Sequence, residues 1–395
     1  MNMITSINDH NISNKTVGRM KNRVLFIMHM PPPVHGAAMM GQYIHDSKLI
    51  NESFECRYIN ESSSRTIDEV GGKYFKKVFR FIGHLFDILR TVRSFKPNLV
   101  YVTPSGYNPE LGFLKYVLEF SILNAFGCKK LIHFHNKGEK EKSEQWYIRW
   151  YYRFLFKNAD VIFLSKLLVP QFHYYLHESQ IHICPNGIKE SLEEEPVAER
   201  KNTMSKLLFL SNMMAEKGVF VLLDAISILK NRGIMLSCDF VGGWKDISQE
   251  SFKDYCRKKD IEEMITAHGP KYGSDKLTYF MNADVFVFPT FYSGETFGLV
   301  NLEAMENKLP VVSTNVGGIP DVVVNDINGY VCNPKDSTDL ADKIEILLKD
   351  KQLRERMGEA GYRMFKEKFT ISSFEKRMHG IIVDVLGKKE NYNNN

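Results

Sequence analysis

Six cysteines are scattered through the 395 residues, at Cys56, Cys128, Cys184, Cys238, Cys256 and Cys332, and no two form a CxxC pair. That spacing argues against a disulfide framework and a zinc site. It fits a reducing compartment in which most of the thiols are buried and inert. No apolar run reaches the roughly 18 residues that a spanning helix needs. The best candidate, Leu111–Cys128, is interrupted by Lys115 and Glu119 and reads as an ordinary buried helix. The polar, Asn/Ser-rich start has no apolar h-region, so no secretory signal is expected. A cytoplasmic protein follows, with residues 1–20 as a disordered lead-in. GxGxxG is absent, which removes the usual dinucleotide fingerprint. No Asp-X-Asp triplet stands between strands in a metal-binding context.

What is present is ordinary globular composition, 44% hydrophobic and 25% charged, with a net charge of +5. The positive excess lies in the first 190 residues, and the remainder is mildly acidic. A basic half points to an anionic partner: a membrane surface, a phosphorylated lipid or a nucleic acid.

Short β-rich runs alternate with longer helical patterns. In the first half the strand candidates are 24–29, 54–59, 99–103, 130–134 and 161–164. In the second they are 206–210, 236–241, 265–268, 285–289 and 310–314. Such alternation predicts parallel sheets covered by helices on both faces. The pattern breaks at Cys184-Pro-Asn-Gly and at Glu193-Glu-Glu-Pro196. The expected organisation is therefore an N-terminal Rossmann-like domain at 21–188, a linker at 189–202 and a second Rossmann-like domain at 203–370. A C-terminal helix and frayed tail occupy 371–395, with packing back onto the first domain as one option. Ligands of such sheets sit at the carboxyl ends of strands, so a cleft between the two domains is the default site.

The strongest chemical signal is Glu295-Thr-Phe-Gly-Leu-Val-Asn-Leu-Glu303-Ala-Met. Positions i and i+8 lie about 80° apart at helical pitch, so both carboxylates can address one ligand, the first from the loop and the second from inside the helix. Thr296, Phe297 and Gly298 would open that helix and offer free N–H groups to a diphosphate. A bare glutamate pair is more often two solvated side chains. Here a Gly317-Gly318-Ile-Pro320 loop follows closely, and the balance shifts toward a site.

The stretch from Pro289 through Pro320 resembles the donor motif of the retaining family 4 glycosyltransferases, "glycosyl transferases group 1", which have the GT-B fold. The resemblance implies a metal-independent transferase that takes a UDP-, GDP- or similar nucleotide sugar and needs no cofactor. It implies that Glu303 binds the donor ribose and that Glu295 lies near the transferred sugar. Amides of Thr296, Phe297, Gly298 and Leu299 would contact sugar and phosphates, with Gly317 and Gly318 forming a close-packed loop nearby. In Ser211-Asn212-Met-Met-Ala-Glu216-Lys217-Gly218 the family usually has an arginine and a lysine clamping the pyrophosphate. Lys217 is present, and Asn212 stands where the arginine is expected.

Gly36, in Met30-Pro-Pro-Pro-Val-His-Gly36, resembles the family's first glycine-rich loop, although a proline-rich helix cap is an equal reading. The resemblance implies a histidine beside the transferred sugar, with His135 as first choice and His133, on the same face of the strand, as second. A metal site there would need a third ligand. Smaller matches are Ser165 after a strand and Asn186 at the hinge. The loop at Pro270 and Lys271 would cradle the base. The resemblance is weak across 54–107, where acceptor specificity lies.

Lys73–Lys96 is rich in Lys and Arg and carries Phe75, Phe79, Ile82, Phe86 and Leu89 at helical spacing. Two readings stand: an amphipathic helix lying on an anionic membrane, or a core helix with a solvated basic face. The first implies a lipid-linked glycan acceptor, as in bacterial capsule, O-antigen or lipopolysaccharide assembly. A sugar-nucleotide epimerase and a non-catalytic nucleotide-sugar-binding subunit are the alternatives. Nucleic-acid binding leaves the donor motif unexplained.

Overall fold

The six strands of the first half run 2-1-3-4-5-6 across one sheet and those of the second run 3-2-1-4-5-6 across another, when each half is numbered from its own first strand. These positions come from a computed structural model that describes residues 21–32, 36–61, 74–104, 112–135, 146–170, 172, 174–191 and 204–388. The first sheet holds β1 (Arg23–Met28), β2 (Glu55–Asn60), β3 (Leu99–Val102), β4 (Lys130–Phe134), β5 (Ala159–Phe163) and β6 (Ile181–Ile183). The second holds β7 (Ser205–Leu210), β8 (Leu236–Val241), β9 (Ile265–Ala267), β10 (Val285–Phe288), β11 (Val311–Thr314) and β12 (Gly329–Cys332). Every pairing within the two sheets is parallel. Parallel strands covered on both faces read as near-continuous apolar runs. Val24 to Met28 and Val285 to Phe288 are such runs, and all are buried.

The helices are α1 (Gly36–Asp46), α2 (Lys48–Ser53), α3 (Tyr74–Phe95), α4 (Gly112–Ala125), α5 (Trp146–Phe156) and α6 (Val219–Asn231). They continue as α7 (Gln249–Lys258), α8 (Leu277–Asn282), α9 (Leu299–Glu306), α10 (Ser337–Lys349), α11 (Lys351–Lys368) and α12 (Ile371–Gly387). The short β6 and β12 and the two-turn α2 have no counterpart in the sequence reading. At three to six residues, each is too short to show a period.

The strand order reverses between β1 and β3 in one sheet and between β7 and β10 in the other. These are the crevices at which open α/β sheets take ligands. The chain crosses between the halves twice. Ile188 and Thr370 form a parallel bridge, and the amide of Ile371 donates to the carbonyl of Ile188 at 2.9 Å. From that crossing α12 runs back over the first half. Its Phe374, Met378, Ile382 and Val385 bury with Val24, Phe26, Met40 and Tyr101. Each such side chain contributes roughly 1.5–3 kcal/mol. Residues 1–20, most of the 189–202 segment and the tail beyond 388 lie outside the described residues.

The apolar stripe of α3 corrects the core-helix reading for the residues that prompted it. Ile88, Val92 and Phe95 make the core contact, whereas Phe79 is 72% and Phe86 63% exposed, with Ile82 and Leu89 also outside. The side chain of Phe75 lies outside the described residues. The neighbouring α4 and α5 add exposed Leu114, Trp146 and Trp150.

Candidate active site

The loop after β7 begins the site. Gly218 ends the Ala215–Lys217 turn in the left-handed region, φ 85°. A Cβ there would lie 2.1 Å from the carbonyl oxygen of Pro289, so only glycine lets this loop meet the one after β10. The contact is fixed by the amide of Phe291, which donates to the carbonyl of Glu216 at 2.8 Å.

Lys217 is thereby pointed at Glu295. Its ammonium donates to Oε2 at 2.7 Å and lies 4.5 Å from the Tyr292 ring centroid. The other oxygen of Glu295 accepts from the amide of Gly298 at 3.2 Å. This corrects the expected helix start. Thr296, Phe297 and Gly298 form a turn ahead of α9, with Gly298 at φ 66°, and the helix begins at Leu299. Glu295 lies in the turn and Glu303 within α9. The carboxylate of Glu295 itself occupies one of the N–H groups assigned to phosphate.

Phe297 is buried in the core and packs edge-on to Phe369 at 5.9 Å, so only its backbone can face a ligand. Gly317, at φ 60°, and Gly318 press on this turn. A Cβ on Gly317 would meet the carbonyl oxygen of Glu295 at 2.5 Å. The amide of Gly318 donates to the carbonyl of Thr296 at 2.7 Å.

Glu303 sits one turn into α9. Its Oε1 accepts from Lys276 at 2.6 Å. Its Oε2 is buried without a hydrogen-bond partner among the described residues. Asn301, two residues earlier, is fully buried with both side-chain polar atoms equally unpaired among those residues.

Asn212 is exposed. Its Oδ1 lies 3.7 Å from where a Cβ on Gly243 would be, and Pro270 borders the same glycine at 3.9 Å. Asn212, Gly243 and Pro270 thus form a row along the carboxyl ends of β7, β8 and β9. Lys271 is half-buried beside them.

The first sheet supplies the facing wall. The Thr296 hydroxyl donates to the carbonyl of His135 at 2.9 Å, which joins the two halves at the site. The His133 and His135 rings stand 4.2 Å apart on one face of β4. Nδ1 of His133 is bonded to the Tyr101 hydroxyl at 2.7 Å, and burial keeps this histidine well below its usual pKa, hence neutral. Asn136 to Gly138 lie outside the described residues. Among the described residues no group of three or more His, Cys, Asp or Glu side chains is placed to hold a metal ion.

Gly36, at the start of α1, abuts Leu299, with a Cβ there 3.4 Å from Leu299 Cδ1. Ser165 donates its hydroxyl to Asp321 across the cleft. Asn186 is buried at the crossing point, not in the cleft; the carbonyl of its neighbour Pro185 accepts from Arg377.

Sequence reasoning missed Lys276 and Asp321. Asp321 directly follows the quoted Pro320, and that adjacency was the available signal. Lys276 ends the short 3₁₀ turn Gly273–Lys276 ahead of α8, with no spacing that marks it.

Residues 191–364 match the family model described as glycosyl transferases group 1. The chain is 30% identical over 162 residues to the capsular polysaccharide biosynthesis glycosyltransferase CapM of Staphylococcus aureus, 41% of each chain. The chain spans less than half the length of the curated relatives first matched. Among solved structures, a glycosyltransferase from Rickettsia africae superposes with a TM-score of 0.70 at 18% identity, covering 93% of this chain and all of the other. HepE of Anabaena, solved with UDP and glucose, superposes at 0.67 with 14% identity, covering 92% and 100%. These two likenesses establish the two-sheet fold over nearly the whole chain. Residues 191–364 thus carry the glycosyl transferases group 1 match, on a two-sheet fold that the chain shares with solved glycosyltransferases over nearly its whole length.

Proposed function

We propose that this protein is a retaining, metal-independent glycosyltransferase. It moves a sugar from a nucleotide sugar to a lipid-linked glycan acceptor in capsule- or lipopolysaccharide-type synthesis at the cytoplasmic face of a membrane. The observation that carries the reading is the pairing of Lys217 with Glu295 in the turn ahead of α9, the helix whose Glu303 has one buried oxygen unpaired among the described residues. Glu303 accepts hydrogen bonds from the donor ribose. Lys217 and the backbone amides ahead of α9 meet the negative charge that grows on the departing diphosphate. The bond from the anomeric carbon to the phosphate oxygen breaks through an oxocarbenium-like state. The acceptor hydroxyl then bonds to that carbon from the same face, and its proton passes to the diphosphate oxygen that leaves. The enzyme supplies no nucleophile. Glu295 and His135 hold and orient the sugar.

The relatives support the polysaccharide reading, since CapM is a capsule enzyme by name and WaaG, another structural neighbour, is involved in lipopolysaccharide biosynthesis. The exposed apolar side chains of α3, set among Arg80, Arg90 and Arg93, supply the anionic-membrane contact. Release of nucleoside diphosphate from a panel of nucleotide sugars tests the reading: wild type turns one over, and Glu295→Ala at unchanged fold does not. Full activity in Glu295→Ala contradicts it. Asn212, in place of the family's arginine, favours a second reading, a binding subunit without turnover. Tight donor binding with no diphosphate release would select it.

A further inference from the structure

Lys276 is a residue that the family motif does not supply. The loop after β9 leaves the sheet at Gly269, passes Pro270 and Tyr272, and turns through Gly273–Lys276 into α8. The helix packs back against β7, next to β10. That return path brings Lys276 up to α9, although β9 lies at the sheet edge three strands from β10. The 2.6 Å contact to Glu303 Oε1 therefore bridges two walls of one slot, the loop at the base end and the helix at the ribose end. Lys276 has no other hydrogen-bond partner among the described residues, and about a third of its side chain is exposed (29%). The two carboxylate oxygens of Glu303 are thus divided. One is held, and the other is buried and unpaired among those residues. A carboxylate free at both oxygens would rotate. With one tethered, the remaining lone pairs keep a fixed direction, and a ligand bound there loses less freedom on ordering.

We propose that Lys276 is a positioning residue for ribose recognition. It anchors Glu303 so that Oε2 accepts from the ribose diol of a nucleoside diphosphate, and so makes the site select ribonucleotides over deoxyribonucleotides. The proposal rests on the donor-site reading above.

The test uses UDP and GDP, each with its 2′-deoxy and 3′-deoxy forms, and inorganic pyrophosphate as the control that lacks a ribose. All are titrated calorimetrically into wild type, Lys276→Met and Lys276→Arg. A hydrogen bond to a charged group contributes about 1.5–3 kcal/mol, roughly 10- to 100-fold in affinity. Wild type should prefer the ribose form by at least about tenfold on that scale. Lys276→Met should bring the preference to within about threefold, losing affinity for the ribose form and little for the deoxy form. Pyrophosphate binding should not change, and Lys276→Arg should restore the preference. A change confined to one nucleotide form cannot come from misfolding, which would weaken all of them. An unchanged preference in Lys276→Met overturns the proposal, and so does tighter binding of the ribose form, which would mean that Lys276 competes with ribose for Glu303. If wild type binds none of these nucleotides, the donor-site reading itself has failed and this inference fails with it.

Discussion

Replacing Glu295 with glutamine should separate binding from turnover. With the cleft empty of donor, the Lys217 ammonium spends a charge-assisted hydrogen bond on Glu295 at 2.7 Å. The two side chains are only 15% and 13% exposed, so solvent screens the pair weakly. A diphosphate that takes over Lys217 exchanges one such bond for another and gains little net. Glutamine keeps a carbonyl oxygen for the Gly298 amide but carries no charge, and Lys217 is released. The full value of a bond to a charged group, about 1.5–3 kcal/mol, then goes to the nucleotide, which is roughly a 10- to 100-fold fall in Kd for the nucleoside diphosphate. Turnover should fall, because the group that orients the sugar has changed. Calorimetric titration of nucleoside diphosphate, beside a diphosphate-release assay, measures both. Weaker nucleotide binding by Glu295→Gln would refute the reasoning, since it would mean that the carboxylate helps to hold the nucleotide and does not compete for the lysine.

Three further outcomes are expected. Gly317→Ala forces a left-handed backbone onto alanine, costing about 1–2 kcal/mol, and drives a methyl to 2.5 Å from the carbonyl oxygen of Glu295. Its melting temperature and turnover should both drop, and wild-type values for both would contradict the packing described. Lys130 is buried at the start of β4, and desolvation lowers its pKa to about 8. Between pH 8 and the ordinary lysine value the unfolded chain holds a proton that the folded one lacks, so wild-type stability relative to Lys130→Met rises with pH across that window. Below pH 8 the full penalty on the charged form applies, roughly 3 kcal/mol. Lys130→Met should therefore gain on wild type as the pH falls from 10 to 7, by up to roughly 3 kcal/mol, and denaturant titrations at the two pH values check the sign. Replacing Phe79 and Phe86 by serine should abolish co-sedimentation with anionic vesicles at low salt without lowering the melting temperature, because both rings are exposed; unchanged sedimentation would remove α3 from the membrane contact.

Much of this was legible in the residues. The long strands announce themselves because a doubly covered parallel strand is a plain apolar run. The donor motif could be read because Glu295, the two glycines and Glu303 are close in sequence as well as in space. Longer-range facts were hidden. Nothing near Lys276 says that a loop from an edge strand returns to α9, and nothing near Ser165 names Asp321 as its partner. The helix boundary at Leu299 was misplaced because Glu295 caps the turn with its side chain, and a cap of that kind leaves no periodic trace. The stripe on α3 was ambiguous for a physical reason: apolar spacing marks a face without saying whether protein or something else covers it.

The most direct test of the central claim, that the cleft is a nucleotide-sugar site organised around Glu303, is a thermal-shift panel of nucleoside diphosphates and nucleotide sugars on wild type and Glu303→Ala. A ligand at 100 times its Kd stabilises by about 2.7 kcal/mol, which is readily seen as a rise in melting temperature. The account predicts that one base class stabilises wild type and fails to stabilise Glu303→Ala. Equal stabilisation of both proteins would place the nucleotide elsewhere, and stabilisation of neither would contradict the donor site altogether.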